Sequence, residues 1–229
     1  MGKNKYSEII ALALGVFGIS VLIVTFLPIF SYQIESKQKF PNLLSPISRE
    51  GGVLSIYNQD YSRASTWFPA GAASEEFGER GETFYTISIS KLGIADAYVY
   101  VGGEDLAESL IQYPGTALPG ETGNAVIFGH SVLPIFFNPE DYLSIFSTLP
   151  KLREGNDIVV NFGGKVFRYV VEDKFEVMPE NLEILEQNST DSYLTLVTCV
   201  PPGDPRKPKR LIIRAKLAPS EIAYENTGN

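Results

Sequence analysis

An uninterrupted apolar run dominates the first thirty residues. Ile9–Phe30 contains no charged side chain, and at 1.5 Å per residue a helix of this length covers roughly 33 Å, enough for the ~30 Å hydrocarbon core of a bilayer. Lys3 and Lys5 precede the run and favour a cytoplasmic N-terminus. The pattern predicts a cytoplasmic tail over 1–8 and a single-pass anchor over 9–30. A cleaved signal peptide is the alternative, but the run is longer than such a core and no clear cleavage site follows it.

The remaining chain changes character twice. Residues 31–80 show no sustained period and mix Pro and Gly with polar residues, which predicts a stalk or linker with an ordered patch around Tyr61 and Trp67–Phe68–Pro69. Beyond it, short runs rich in Val, Ile, Phe, Tyr and Thr alternate with turn residues, which is typical of an all-β sandwich or barrel. We therefore expect a β domain over 81–218 and a C-terminal tail over 219–229.

Eight strands and three short helices are predicted in that domain. Gly163–Gly164 has the composition of a two-residue hairpin turn. The predicted strands are Phe84–Ile89, Ala97–Val101, Ala125–Gly129, Asp157–Phe162, Lys165–Val171, Lys174–Val177, Tyr193–Thr198 and Arg210–Leu217. The predicted helices, from apolar residues three or four apart, are Asp105–Gln112, Tyr142–Leu149 and, more weakly, Asn181–Gln187.

Charge and rare residues exclude several classes of protein. The formal net charge of −8 argues against a nucleic-acid partner, because an acidic surface repels phosphate. A single Cys and a single His cannot form an internal disulfide or a common Cys/His zinc site. Glu104, Asp105 and Glu108 could bind calcium but equally suit a solvated helix start, so no metal or other cofactor is predicted.

The single Cys ends one predicted strand, and an Arg begins the next. Cys199 closes the run from Tyr193, and Arg210 follows a ten-residue loop with four prolines. If these strands are antiparallel neighbours, Cys199 and Arg210 face one groove at the same height. Arg214 shares the face of Arg210 but lies roughly 13 Å further along the strand. The spacing therefore favours Arg210 as the partner of Cys199.

The single His also lies at a strand end, after Ala125–Gly129. A thiol, an imidazole and a permanent cation at strand ends suit nucleophilic acyl transfer, in which His130 moves protons, Cys199 attacks and Arg210 donates to an oxyanion. Taken singly, each has another interpretation: a small buried thiol, a turn histidine and a solvated strand end.

The residues around these three resemble a known family. Thr195-Leu-Val-Thr-Cys199 matches the TLxTC motif of the sortases, bacterial cell-surface cysteine transpeptidases, and Arg210 stands where they carry an Arg. Gly123-Asn124, followed by Gly129-His130, resembles their GN-x-x-x-x-GH context, with 69 positions from His130 to Cys199. Ile89-Ser-Lys-Leu-Gly-Ile94 is similar to their IPKLGI-like first strand, with Ser90 where Pro is common. The resemblance covers about residues 84–218.

This resemblance implies a closed eight-stranded β-barrel with a surface groove. On that basis Cys199 attacks the Thr carbonyl of an LPXTG-like C-terminal sorting signal, and an envelope amine, either a peptidoglycan cross-bridge or a Lys side chain, resolves the thioacyl-enzyme. His130 protonates the leaving amine and deprotonates the incoming one, and Arg210 holds the substrate and its oxyanion. Thr198, Val197 and Ile212 are second-tier candidates for substrate binding.

Subclass and competing functions follow from further features. No second apolar span follows Leu217 and no Asp-Pro-aromatic motif occurs in the stalk, which favours a housekeeping or single-anchor, class D/E-like anchoring enzyme over a pilin polymerase. A cytoplasmic N-terminus places its catalytic domain outside the membrane. The alternatives are a cysteine peptidase that hydrolyses the same signal and a non-catalytic, membrane-tethered peptide-binding barrel. The apolar loop 131–137 is expected either to wall the groove or to cap the barrel core.

Overall fold

One long helix precedes a β domain. A computed structural model of the chain describes residues 3–40, 60–68, 77–78, 83–187 and 190–219. The helix, α1, runs over Lys3–Lys39 and includes the predicted 9–30 span. By length and composition it is apolar enough to cross a membrane. Pro69, most of the predicted linker and the predicted tail from residue 220 lie outside the described residues.

The domain is a closed eight-stranded barrel, which confirms the predicted fold class. The strands are β1 (Phe84–Ile89), β2 (Ile94–Val101), β3 (Leu110–Gln112), β4 (Gly123–Phe128), β5 (Asp157–Phe162), β6 (Lys165–Val177), β7 (Ser192–Val200) and β8 (Lys209–Leu217). Their order around the barrel is β1-β2-β3-β4-β7-β8-β6-β5. The pairs β2–β3 and β4–β7 are parallel and the other neighbours are antiparallel.

Strands β4, β7 and β8 are buried on both faces, which explains their near-continuous hydrophobic runs. One face fills the barrel interior, with Ile127, Leu196 and Ile213 among its residues. The other face forms a second apolar cluster outside the barrel, covered by the segment 60–68, in which Trp67 and Phe68 are buried. Part of the predicted linker therefore packs on the barrel wall.

The predicted helix Asp105–Gln112 is wrong, because its two leucines are buried in two different apolar clusters. Leu106 packs in the outer cluster, whereas Leu110 points into the barrel. Leu110–Gln112 instead forms β3, which completes the sheet between β2 and β4.

The predicted helix Tyr142–Leu149 is replaced by successive turns and a short 3-10 helix, Leu149–Lys151. Its apolar face is buried as expected, but its backbone bonds elsewhere: the Phe146 amide donates to the His130 carbonyl over 2.9 Å. A helix would need that amide for itself. Of the weak helix Asn181–Gln187, only a 3-10 turn over Glu183–Leu185 forms.

The two strands predicted at Lys165–Val171 and Lys174–Val177 are one strand. A bulge between Val171 and Asp173 shifts the register against β8, so pairing resumes after the interruption that split the pattern. The turn Gly163–Gly164 joins β5 to β6 as predicted, and its φ angles of 57° and 74° fit a turn that needs two left-handed residues.

Candidate active site

Cys199 and Arg210 lie directly opposite each other on antiparallel strands. The register of β7 against β8 pairs Cys199 with Arg210 and places Arg214 beside Thr195. The geometric expectation from the sequence is met, and Arg214 lies further along the strand. Val197 and Ile212 are paired on the same face and belong to the outer apolar cluster beside Cys199.

His130 is held beside Cys199 by three hydrogen bonds between neighbouring strand ends. The amide of Gly129 donates to the carbonyl of Val197 over 3.1 Å. The Thr198 hydroxyl donates to the Gly129 carbonyl over 2.8 Å, and the Ser131 hydroxyl to the Cys199 carbonyl over 2.6 Å. Thr198 thus has an evident positioning contact. Ser131 was not among the site residues predicted from the sequence. Its position directly after the single His is the one feature of the sequence that could have indicated it.

Close packing under Gly129 fixes the same segment. A Cβ at Gly129 would lie 2.5 Å from the ring of Phe146 and 2.6 Å from Leu110. Only glycine lets the chain pass this close, so the residue before His130 cannot carry a side chain without displacing the core.

The described segment 60–68 packs over His130 and Arg210, and all three candidate residues are buried. His130, Cys199 and Arg210 are 5%, 2% and 0% exposed. The Trp67 ring lies 5.8 Å from the His130 ring and 5.4 Å from the Arg210 guanidinium. The Tyr61 ring lies 4.8 Å from Lys207 Nζ. The sequence had marked Tyr61 and Trp67 as an ordered patch without linking them to the chemistry.

Within the described part of the chain, the buried Arg210 side chain donates its hydrogen bonds to carbonyls and to no carboxylate. Its Nη2 donates to the Trp67 carbonyl over 3.1 Å, and its Nη1 donates to the carbonyls of Lys207 and Lys209 over 2.9 and 3.3 Å. Its Nε has no hydrogen-bond partner among the same residues. The guanidinium charge is therefore not neutralised by these contacts, and one N–H remains available for a developing oxyanion.

His130 is neutral at physiological pH. Burial, reinforced by the nearby positive charge of Lys207, lowers the pKa of His130 to about 4. Its Nε2 is buried and has no hydrogen-bond partner among the residues that the structure describes. A neutral imidazole can accept a proton from a thiol as that thiol attacks, which is the requirement for a general base.

Lys207 is the charged neighbour that sequence analysis missed. It lies in the loop between β7 and β8, and burial lowers the pKa of its amine. The proline-rich composition of this loop carried no signal for it, because only the fold brings the loop back beside Tyr61 and the strand ends.

Glu104, one of the three acidic residues considered for calcium, is held by segment 60–68. Glu104 accepts hydrogen bonds from Arg63 over 2.8 Å and from the Ser65 hydroxyl over 2.6 Å. Across 3–40, 60–68, 77–78, 83–187 and 190–219, no three His, Cys, Asp or Glu side chains are grouped to hold a metal ion.

Comparison with known proteins identifies similar chains. The Sortase domain family model matches residues 87–218. Sortase A of Streptococcus agalactiae is 33% identical over 73 residues, 32% of this chain; the match spans just over a quarter, 28%, of that relative's length.

Solved structures show the same architecture. A Clostridium perfringens Sortase D5 transpeptidase superposes with a TM-score of 0.52 and 28% identity, covering 63% of this chain and 84% of the other. A pilus-related Sortase C of Group B Streptococcus gives a TM-score of 0.52 and 27% identity, covering 61% and 69%.

We predict that Trp67→Ala accelerates alkylation of Cys199 by iodoacetamide on the order of tenfold or more. A tenfold change corresponds to a barrier lower by about 1.4 kcal/mol. The substitution removes the ring that covers His130 and Arg210. Intact mass follows the reaction unambiguously because the chain has one Cys. Phe84→Ala, an exposed aromatic on β1, is the control. Equal rates in both variants would show that segment 60–68 does not limit access.

We also predict a pH-dependent contribution of His130 to stability. The pKa of His130 falls from 6.5 to about 4 on folding, so the unfolded chain alone takes up a proton between these values. The free energy of unfolding carries the full contribution of neutral His130 above pH 6.5. It falls by roughly 1.4 kcal/mol per pH unit as the pH drops from 6.5 towards 4. Urea unfolding in detergent is measured at a series of pH values for wild type and for His130→Gln. Both proteins have the same carboxylates, so the difference between their free energies of unfolding isolates the histidine. A stability difference that does not vary with pH would contradict this.

Proposed function

The chain belongs to the sortase family, and we propose that it is a membrane-anchored transpeptidase that cleaves an LPXTG-like sorting signal and joins the released protein to an amine of the cell envelope. The observation that carries the proposal is the convergence of Cys199, His130 and Arg210 at neighbouring strand ends. Two of them present an unpartnered buried nitrogen there.

In the first step the Cys199 sulfur attacks the Thr carbonyl carbon of the signal, and neutral His130 takes the thiol proton. The carbonyl oxygen becomes an oxyanion, for which Arg210 Nε is the free donor. His130 then gives its proton to the leaving amine as the C–N bond breaks, which leaves a thioacyl-enzyme.

In the second step an incoming amine attacks the thioester. His130 accepts the amine proton, the C–S bond breaks and the thiolate of Cys199 recovers a proton from His130. Thr198 acts in both steps by holding the Gly129–His130 segment in position. Val197 and Ile212 contribute the apolar floor next to the thiol, on which the substrate side chains would rest.

The placement in the cell follows from α1. We assign 1–8 to the cytoplasm, 9–30 to the membrane, 31–80 to a linker and 81–218 to an extracytoplasmic catalytic domain, with 219–229 as a tail. Support comes from the apolar length of α1 and the two Lys residues before it. We place the enzyme among class D/E-like sortases, because the aromatic residues Tyr61 and Trp67, which pack against Arg210, do not follow an Asp-Pro pair.

We predict a covalent adduct on Cys199. The full chain in detergent is incubated with an LPXTG-type peptide library and a glycine or Lys-bearing amine, and intact mass is recorded. A thioacyl adduct on wild type, absent from Cys199→Ala, with transfer to the amine is expected. Adduct with hydrolysed product alone would indicate a peptidase. No adduct together with an unreactive thiol would indicate a peptide-binding barrel.

We further predict that Arg210→Lys lowers kcat/KM about 10²–10³-fold, the usual loss when an oxyanion donor is removed. A Lys keeps the charge but not the planar array of N–H donors. Arg214→Lys on the same strand is the matched control, because its position lies roughly 13 Å away. Similar losses in the two variants would argue that the strand requires Arg for its fold rather than for the reaction.

A further inference from the structure

The loop that follows His130 exposes an apolar tip. Pro134–Phe136 forms a single 3-10 turn with no buried residue. Ile135 and Phe136 are 62% and 66% exposed. This rules out a cap on the barrel core for these two side chains, and water is a poor environment for two adjacent large apolar groups.

The tip lies beside the apolar part of α1. Leu133, Ile135 and Phe136 line one groove together with five residues of α1, namely Phe17, Ser20, Val21, Val24 and Thr25. These helix residues lie within the predicted 9–30 span. Counting from the end of that span at Phe30, the four from Thr25 back to Ser20 lie about 8–15 Å into the apolar run, and Phe17 lies about 20 Å into it, at 1.5 Å per residue. The shallow end of that range meets the 5–10 Å to which interfacial segments bury their apolar faces, and the rest reaches deeper, mostly within one half of a ~30 Å core.

A buried carboxylate fixes α1 against the barrel. Glu176 on β6 accepts hydrogen bonds from the Tyr32 hydroxyl over 2.8 Å and the Ser36 hydroxyl over 2.7 Å. Lys209 Nζ on β8 completes the group over 2.9 Å. Because the Glu176 side chain has no exposure to water, losing the two hydroxyl donors of α1 would take two hydrogen bonds from a buried carboxylate, which is unfavourable. The position of the loop relative to the helix is therefore set by the fold.

We propose that the tip of the loop 131–137 inserts into the outer leaflet of the membrane that α1 crosses, with Ile135 and Phe136 among the lipid acyl chains. The inference rests on the anchor assigned under the proposed function. It fits the composition of the loop, because polar residues resume at Asn138 and continue with Glu140 and Asp141, which marks the return to water.

The insertion would hold the active site at the membrane surface. Leu133 packs on the backbone of Gly203, where a Cβ would lie 2.5 Å away, in the loop that follows Cys199. At the base of the inserted loop, Ser131 bonds the Cys199 carbonyl. Only a few residues thus separate the inserted tip from the contacts with the Cys199 segment. Substrates tethered in the same membrane would reach the site without leaving the membrane.

Spin labels test the depth of the tip. The full chain carrying Cys199→Ser receives one new cysteine, either Phe136→Cys or Ile135→Cys, and is reconstituted into phosphatidylglycerol–phosphatidylcholine vesicles. Power saturation compares collisions with oxygen, which concentrates in lipid, and with a water-soluble nickel chelate. Leu22→Cys on the exposed side of α1 is the lipid control, and Val166→Cys, 70% exposed near the β5–β6 hairpin, is the water control.

We expect labels at 135, 136 and 22 to favour oxygen and the label at 166 to favour nickel. If 22 favours oxygen while 135 and 136 favour nickel, the insertion is wrong and the anchor stands. If all positions favour nickel, the anchor itself fails and the insertion with it. Nickel access at 136 that is lost when a sorting-signal peptide is added would assign the loop to the peptide groove and also overturn the insertion.

Discussion

The hydrogen-bonded register of β7 determines the geometry of the site. This strand pairs in parallel with β4 and antiparallel with β8, so it alone connects the strand before His130 with the strand of Arg210. Leu194, Leu196 and Val200 fill the barrel core and fix the register from inside. A slip of one residue would turn Cys199 into the interior. The apolar packing of the barrel therefore fixes the strand ends that bring the three candidate residues together.

The candidate site contains buried polar atoms without hydrogen bonds, whereas buried polar atoms with a structural role are ordinarily hydrogen-bonded. Within the described part of the chain, four buried side-chain atoms lack a hydrogen bond, and they include His130 Nε2 and Arg210 Nε. Each such atom costs about 1–3 kcal/mol, and an uncompensated buried charge costs more. The barrel tolerates this because β7 and β8 are buried on both faces by well-packed clusters. Stability is thus supplied by apolar packing, and the unpaired nitrogens stay available for a ligand.

The alternation of apolar residues made the all-β class and most strands predictable, and spacing from turn to strand end was enough to pair Cys199 with Arg210. The sequence mispredicted those elements whose formation depends on contacts between residues far apart in the chain. The strand Leu110–Gln112 is too short to show a period, and its pairing with β2 and β4 outweighs the helical spacing of Leu106 and Leu110. The roles of Trp67 and Lys207 were out of reach for the same reason, because each depends on a segment distant in the chain folding back over β7.

A continuous set of contacts links the N-terminal helix α1 to the His130 imidazole. The carboxylate of Glu176 holds α1 on the barrel, and the loop that begins at Ser131 reaches back along the helix. The same loop returns to the site where Phe146 donates to the His130 carbonyl. Since these contacts are hydrogen bonds of short range and packed side chains, helix and site cannot reorient independently without breaking a buried group. Under the proposed placement of α1 in the membrane, the tilt of this helix therefore sets the orientation of the candidate site relative to the bilayer, and the anchor contributes to the geometry of the site.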